Sequence, residues 1–252
     1  MSGINWVRLE SLWATARRGL ALLFAIALGG LAIGLAFGLS QLNYPVIVEN
    51  LDRLASGVGL TLQLLALALV VGAALALPIG IARAGGNRLA AGYIFIFRGT
   101  PLLVQIFLIY YGIGQFAFIR DSFLWPVLRE PFWCAIIAFA LNTAAYQAEI
   151  LRGAIQAVPR GEVEAARAIG MSRRLALRRI ILPSALRIGF PAYSNEVILM
   201  LKGTALASTV TLLDLTGMAR TVIARTYMPV EIFLVAGLIY LLLTLVFTQV
   251  FR

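Results

Sequence analysis

Histidine is absent from these 252 residues, and cysteine and lysine occur once each, as Cys134 and Lys202. Without histidine there is no imidazole base, no histidine metal ligand and no serine–histidine triad. A lone cysteine forms neither an internal disulfide nor a cysteine metal cluster. The one lysine stands in "LMLKGT", which is not the GxxxxGK[ST] loop that cradles nucleotide phosphates. No catalytic residue, metal ligand or bound cofactor is therefore expected here, and any chemistry of ATP and magnesium falls to another polypeptide. Charge is scarce too: 13% of residues are charged against 61% apolar, with a mean hydropathy of +0.93. That balance lies far from soluble domains. Strict alternation of apolar and polar residues is also missing, which argues against a membrane β-barrel.

What is present is apolar sequence in long runs. A bilayer core takes about 20 helical residues to cross, and runs near 20–40, 56–81, 90–115, 132–150, 190–210 and 232–250 reach or approach that length. Backbone amides in lipid need partners within their own segment, so the expected fold class is an all-α integral membrane protein of six transmembrane helices. Residues 1–19 read as an interfacial amphipathic segment with Trp6, Leu9 and Trp13 on one face. The span at 20–40 is too long for a signal peptide's apolar region and lacks a cleavage site. Its Gly30, Gly34 and Gly38 make a helix-packing face.

The net charge of +10 is unevenly spread, in a pattern that points to topology and not to nucleic acid. Residues 151–189 hold eight arginines and two glutamates, whereas 116–130 balances Arg120 and Arg129 with Asp121 and Glu130. Positive loops stay cytoplasmic. Both termini are therefore expected inside.

The arginine-rich loop is itself patterned. Pro159 and Gly161 open it, and Glu162 and Glu164 are expected in the first turn of a short helix, where carboxylates suit the dipole. Gly170 is placed to end that helix in the left-handed conformation. Ser172 can cap a second helix, expected to run to Leu182 before Pro183 breaks it. The product is a glycine corner built for docking.

The order Glu164-Ala165-Ala166, three residues, Gly170, nine residues, then Ile180-x-Leu182-Pro183 resembles the EAA signature of ATP-binding-cassette importer permeases. "FRGTPLLVQIFLIYYG" (97–112), "LNTAAYQAEILRGAIQAVPRGEVEAARAIGMS" (141–172) and "YSNEVILMLKGTALASTVTLLDLTGMARTVIARTYMPVE" (193–231) narrow the likeness to polar amino acid permeases of the histidine, arginine/ornithine and opine branch. The resemblance implies a type I importer core of five helices over 41–252, with the span at 20–40 an addition. It implies function as the permease subunit of an inner-membrane importer for basic amino acids or an opine-like derivative. It also implies partners: a second permease, by the habit of this branch a paralogue in a heterodimer, two cytoplasmic ATPases that carry ATP and magnesium, and a periplasmic solute-binding protein. Glu164, Ala165, Ala166 and Gly170 would then couple to the ATPase.

Ionisable groups inside spans are costly, so each is a functional candidate. Asn142, Tyr146 and Glu149 recur at helical spacing as one polar stripe, with Glu149 also within reach of Arg152. Glu196, in the family's "NE" position, is the first candidate for a substrate contact, set above a gap at Gly203. Arg98, Gly99 and Pro101 form a helix-breaking element with a structural or gating role. Lys202 is expected to point away from Glu196, towards a subunit interface. An ion-coupled secondary transporter is the alternative, and it would favour inverted repeats, of which none is evident. An intramembrane enzyme would need a nucleophile–base pair, and none stands out.

Overall fold

A computed structural model describes residues 43–251, and Ile47–Arg252 form one compact unit. The interfacial segment expected at 1–19 and the span expected at 20–40 lie outside the described residues. All regular structure among the described residues is helical. The first helix, α1 (Tyr44–Ala84), has 41 residues, about 60 Å at the helical rise of 1.5 Å per residue. It begins twelve residues before the expected span. Glu49, Asp52 and Arg53 do not stop it, because all three lie on its exposed side. Its buried stripe is rich in small residues: Gly57, Thr61, Ala68, Gly72, Ala76 and Gly80. Such a stripe lets another helix approach closely, and a Cβ at Gly80 would stand 2.9 Å from the Ala148 carbonyl oxygen.

The run expected as one span at 90–115 is broken. Asn87 caps α2 (Arg88–Gly99), accepting from the Ala90 N–H at 3.0 Å. The chain then turns through 102° into α3 (Leu102–Phe107) and further helical turns as far as Gln115. Pro101 lacks an N–H and biases Thr100 towards extended backbone, so the helix ends where sequence reasoning expects a break. Two short helices, α4 (Ala117–Arg120) and α5 (Trp125–Leu128), lead to α6 (Pro131–Ala157).

The centre of the unit is α6. Of its most apolar window 72% is buried, against 33% in α1 and 17% in the last helix, α11 (Pro229–Val250). Leu64, Leu65, Ile106, Phe139, Met200 and Leu201 join α1, α3, α6 and α9 (Leu182–Gly203) in one core.

The approach to α9 departs from expectation. After α7 (Arg160–Ala168), Ser172 caps α8 (Arg173–Ala176), accepting from the Leu175 N–H at 3.4 Å. Pro183 does not interrupt the helical path beyond it. A π-turn at Leu177–Ile181 leads directly into α9, with Pro183 in its first turn and Pro191 inside it. The wider turn relieves the clash between a proline ring and the carbonyl four residues back. Glu196 therefore sits deep within a continuous helix and not near its start. A 3₁₀ segment (Thr204–Val210) and the left-handed Thr211 then turn the chain into α10 (Leu215–Thr226). Asp214 caps α10, accepting from the N–H groups of Thr216 and Gly217 at 3.2 and 3.0 Å.

Among the described residues three helices are long and apolar enough to cross a membrane, or five if each of two bent pairs is one span.

Candidate functional site

The break between α2 and α3 leaves carbonyls without helical partners, and two buried amides take them up. Gln105 Nε2 lies 2.9 Å from the Phe97 oxygen, 3.1 Å from the Thr100 oxygen and 2.8 Å from Thr100 Oγ1. Asn142 Nδ2 donates to the Phe97 oxygen at 3.1 Å and to Gln105 Oε1 at 3.0 Å. The amide hydrogens of Asn142 are thus committed to holding the bend, which leaves only its oxygen for a solute. Gln105 is a site residue that sequence reasoning missed. Its signal was a single polar side chain inside "LLVQIFL". Gln105→Leu should orphan the Thr100 carbonyl and the Asn142 N–H that donates to Gln105, and lower the stability of the purified permease by about 2 kcal/mol. Thermal unfolding in detergent checks this, and an unchanged transition would mean that the amide bears no weight.

The braced bend forms one wall of a cavity of about 470 Å³. Arg98, Gly99, Pro101, Asn142, Tyr146 and Glu196 all line it, although they come from three separate helices and the break after the first of them. The Arg98 guanidinium lies over the Tyr146 ring at 5.1 Å from the centroid, within cation–π range. In the same cavity Glu196 is 5% exposed, and its Oε1 accepts one hydrogen bond, from Thr143 Oγ1 at 3.0 Å. Among the described residues no cationic side chain forms an ion pair with it. A buried carboxylate without a direct ion pair is costly to keep charged, so this position could accept a cation that enters the cavity. Gly203 is not part of this wall: a Cβ there would meet Leu102 at 3.4 Å, so the expected gap below Glu196 is filled.

Glu149 lies one turn beyond Tyr146 and faces an adjoining pocket with Arg83 and Arg98. It accepts from Arg152 Nε and Nη2 at 2.9 and 2.7 Å and lies 3.9 Å from Arg98 Nη1. This forked pair satisfies the carboxylate within its own helix, and Arg98 stands at the edge of ion-pair range. Lys202 is exposed and lines a separate pocket with Tyr240 and Leu241.

The arginine-rich corner forms a second site. Gly170 has φ +76°, which few side chains tolerate. The Met171 N–H donates to Ala166 and the Gly170 N–H to Arg167, both at 3.0 Å, the paired bonds of a Schellman ending. Only Glu162 falls in the first turn of α7, because that helix starts at Arg160. Glu164 stands a residue beyond it, exposed with Ala165. Ala166 turns inward at 3% exposure, so its small side chain serves packing beneath the helix and offers no surface. Ile169 is 76% exposed at the tip. Below the corner Val163 packs on Leu151, Ala154, Val158 and Ala185, which ties α7 to the ends of α6 and α9.

A helical membrane chain with a charged cavity and a rigid polar corner has known counterparts. Residues 75–252 match the family described as binding-protein-dependent transport system inner membrane component. The chain belongs to that family. Among other members, it is 49% identical over 213 residues to the nopaline transport system permease protein NocM of Agrobacterium fabrum, covering 82% of this chain and 88% of that one. To the histidine/lysine/arginine/ornithine transport system permease protein HisM of Escherichia coli it is 46% identical over 202 residues, covering 78% and 85%. The crystal structure of an amino acid ABC transporter with histidines superposes with a TM-score of 0.74 at 35% identity, covering 84% of this chain and 96% of that one. These likenesses make the permease fold secure across the described unit.

Proposed function

We propose that this chain is the permease subunit of an ATP-driven importer for basic amino acids or an opine-like derivative, and that solute crosses through the cavity between Arg98 and Glu196. The observation that carries this reading is Glu196: a buried carboxylate with one hydrogen bond, facing open volume. A solute with a carboxylate and a cationic end fits between an arginine and a glutamate, each neutralising one end. That lowers the cost of both charges inside the membrane. The relatives named for nopaline and for histidine, lysine, arginine and ornithine support this solute class. Glu164, Ala165 and Ile169 on the corner form the face offered to a cytoplasmic ATPase, and Gly170 fixes its angle. The packing beneath Val163 gives the stiffness needed to pass ATPase closure to the spans. A paralogous second permease, two ATPases holding ATP and magnesium, and a periplasmic binding protein complete the assembly in the inner membrane.

Orientation is tested by labelling. In a Cys134→Ala background, cysteines at Ser172 and Arg178 should react with an impermeant reagent from the cytoplasm, and one at Ser122 from the periplasm. The native thiol is fully buried, with its Sγ donating to the Leu128 carbonyl at 3.0 Å, so it should add little background. Reversed accessibility would contradict the arginine distribution.

A further inference from the structure

We infer that Thr143 is a positioning residue for Glu196, and that Gly72 is a glycine so that Thr143 can do this. The inference rests on reading Glu196 as the solute's cation partner. Thr143 is fully buried behind the cavity wall, on the side of α6 that faces α1. Gln147 Nε2 donates to Thr143 Oγ1 at 3.1 Å, and that hydroxyl donates to Glu196 Oε1 at 3.0 Å. A hydroxyl has one hydrogen to give. The amide occupies one of its two lone pairs, and its hydrogen goes to the carboxylate, which can only accept.

This bond matters because it is the one hydrogen bond that orients Glu196 among the described residues. Arg98 lines the same cavity. A glutamate with free rotamers would be drawn towards that guanidinium, and the two charges would neutralise each other in place of a solute. Thr143 holds the carboxylate back on its own wall. The hydroxyl in turn depends on the rotamer of a β-branched side chain, which has few alternatives on a helix. The Thr143 methyl points at Gly72, where an added Cβ would overlap Cγ2 directly. The other neighbours of that Cβ are at ordinary contact, Ala140 O at 3.4 Å and Ala144 N at 3.5 Å. Gly72 thus makes room for one methyl group, and through it sets the direction of one hydroxyl.

Substitutions of opposite kind separate positioning from packing. Thr143→Val keeps the shape and loses the hydroxyl, whereas Thr143→Ser keeps the hydroxyl and loses the methyl. Arginine uptake is measured in proteoliposomes with the partner subunits, loaded binding protein and ATP, at matched permease levels, beside Glu196→Gln. Thr143→Val should lose about tenfold in uptake, on the scale of a hydrogen bond to a charged group, while Thr143→Ser stays within about twofold of the parent. Gly72→Ala should also lose uptake, although alanine is the better helix former. The double substitution Gly72→Ala with Thr143→Ser should recover it, because the colliding methyl is gone. A packing role would reverse the order, with serine worse than valine, and would overturn the inference. Normal uptake by Thr143→Val beside an impaired Glu196→Gln would overturn it while leaving the site intact. Failure of the double variant to recover would remove Gly72 from the account. Normal uptake by Glu196→Gln would take down the reading of the site, and this inference with it.

Discussion

Glu164→Lys is expected to leave the permease inserted and folded while cutting ATP-driven uptake at least about tenfold, the scale on which truncating or reversing an interface charge acts. The side chain is exposed on α7 and makes no ion pair among the described residues, so the fold has little to lose by its replacement. Its position beyond the first turn also removes most of the helix-dipole penalty that a lysine would meet at a helix start. What remains is the contact with a partner. Gly170→Val should produce the same loss by another route, since a β-branched residue resists φ +76° and would open the corner. Uptake and solute-stimulated ATP turnover, measured at equal permease and ATPase levels, decide the matter. Full turnover with full uptake in Glu164→Lys would show that the corner is not where the ATPase docks.

Glu196→Gln is the second large effect. The amide keeps size and helix packing but removes the charge, and it can still accept from Thr143. Losing a charge-assisted bond to the solute is worth about 1–3 kcal/mol, or about 5- to 150-fold weaker engagement. The loss should fall on cationic solutes such as arginine, and a neutral analogue carried by the same binding protein should be affected much less. A structural Glu196 would behave differently, lowering expression and uptake of every solute together. Binding of arginine by the isolated periplasmic protein should not change, since that site lies on another polypeptide.

The sequence made some of this architecture readable and hid the rest for definite physical reasons. The glycine corner was legible because a left-handed residue, a serine cap and the intervening spacing are local properties of the chain. The bend at Gly99 and Pro101 was legible for the same reason. Continuity through Pro183 was not, because the π-turn that accommodates it depends on packing between the ends of α6 and α9. The inward turn of Ala166 was equally hidden, since an alanine's burial depends on what lies beneath its helix. Arg98, Tyr146 and Glu196 could each be singled out as costly or polar in an apolar run. That they share one cavity needed the structure. Gln105 and Thr143 escaped notice because their importance lies in long-range bonds, to Asn142 and to Glu196, which no periodicity encodes.

The most direct measurement is arginine uptake into proteoliposomes that hold this chain with the proposed second permease and ATPase, with loaded binding protein outside and ATP either enclosed or omitted. The account predicts accumulation only where ATP is enclosed and binding protein is present, unaffected by collapsing proton and sodium gradients. Accumulation driven by an imposed ion gradient, without ATP or ATPase, would contradict it.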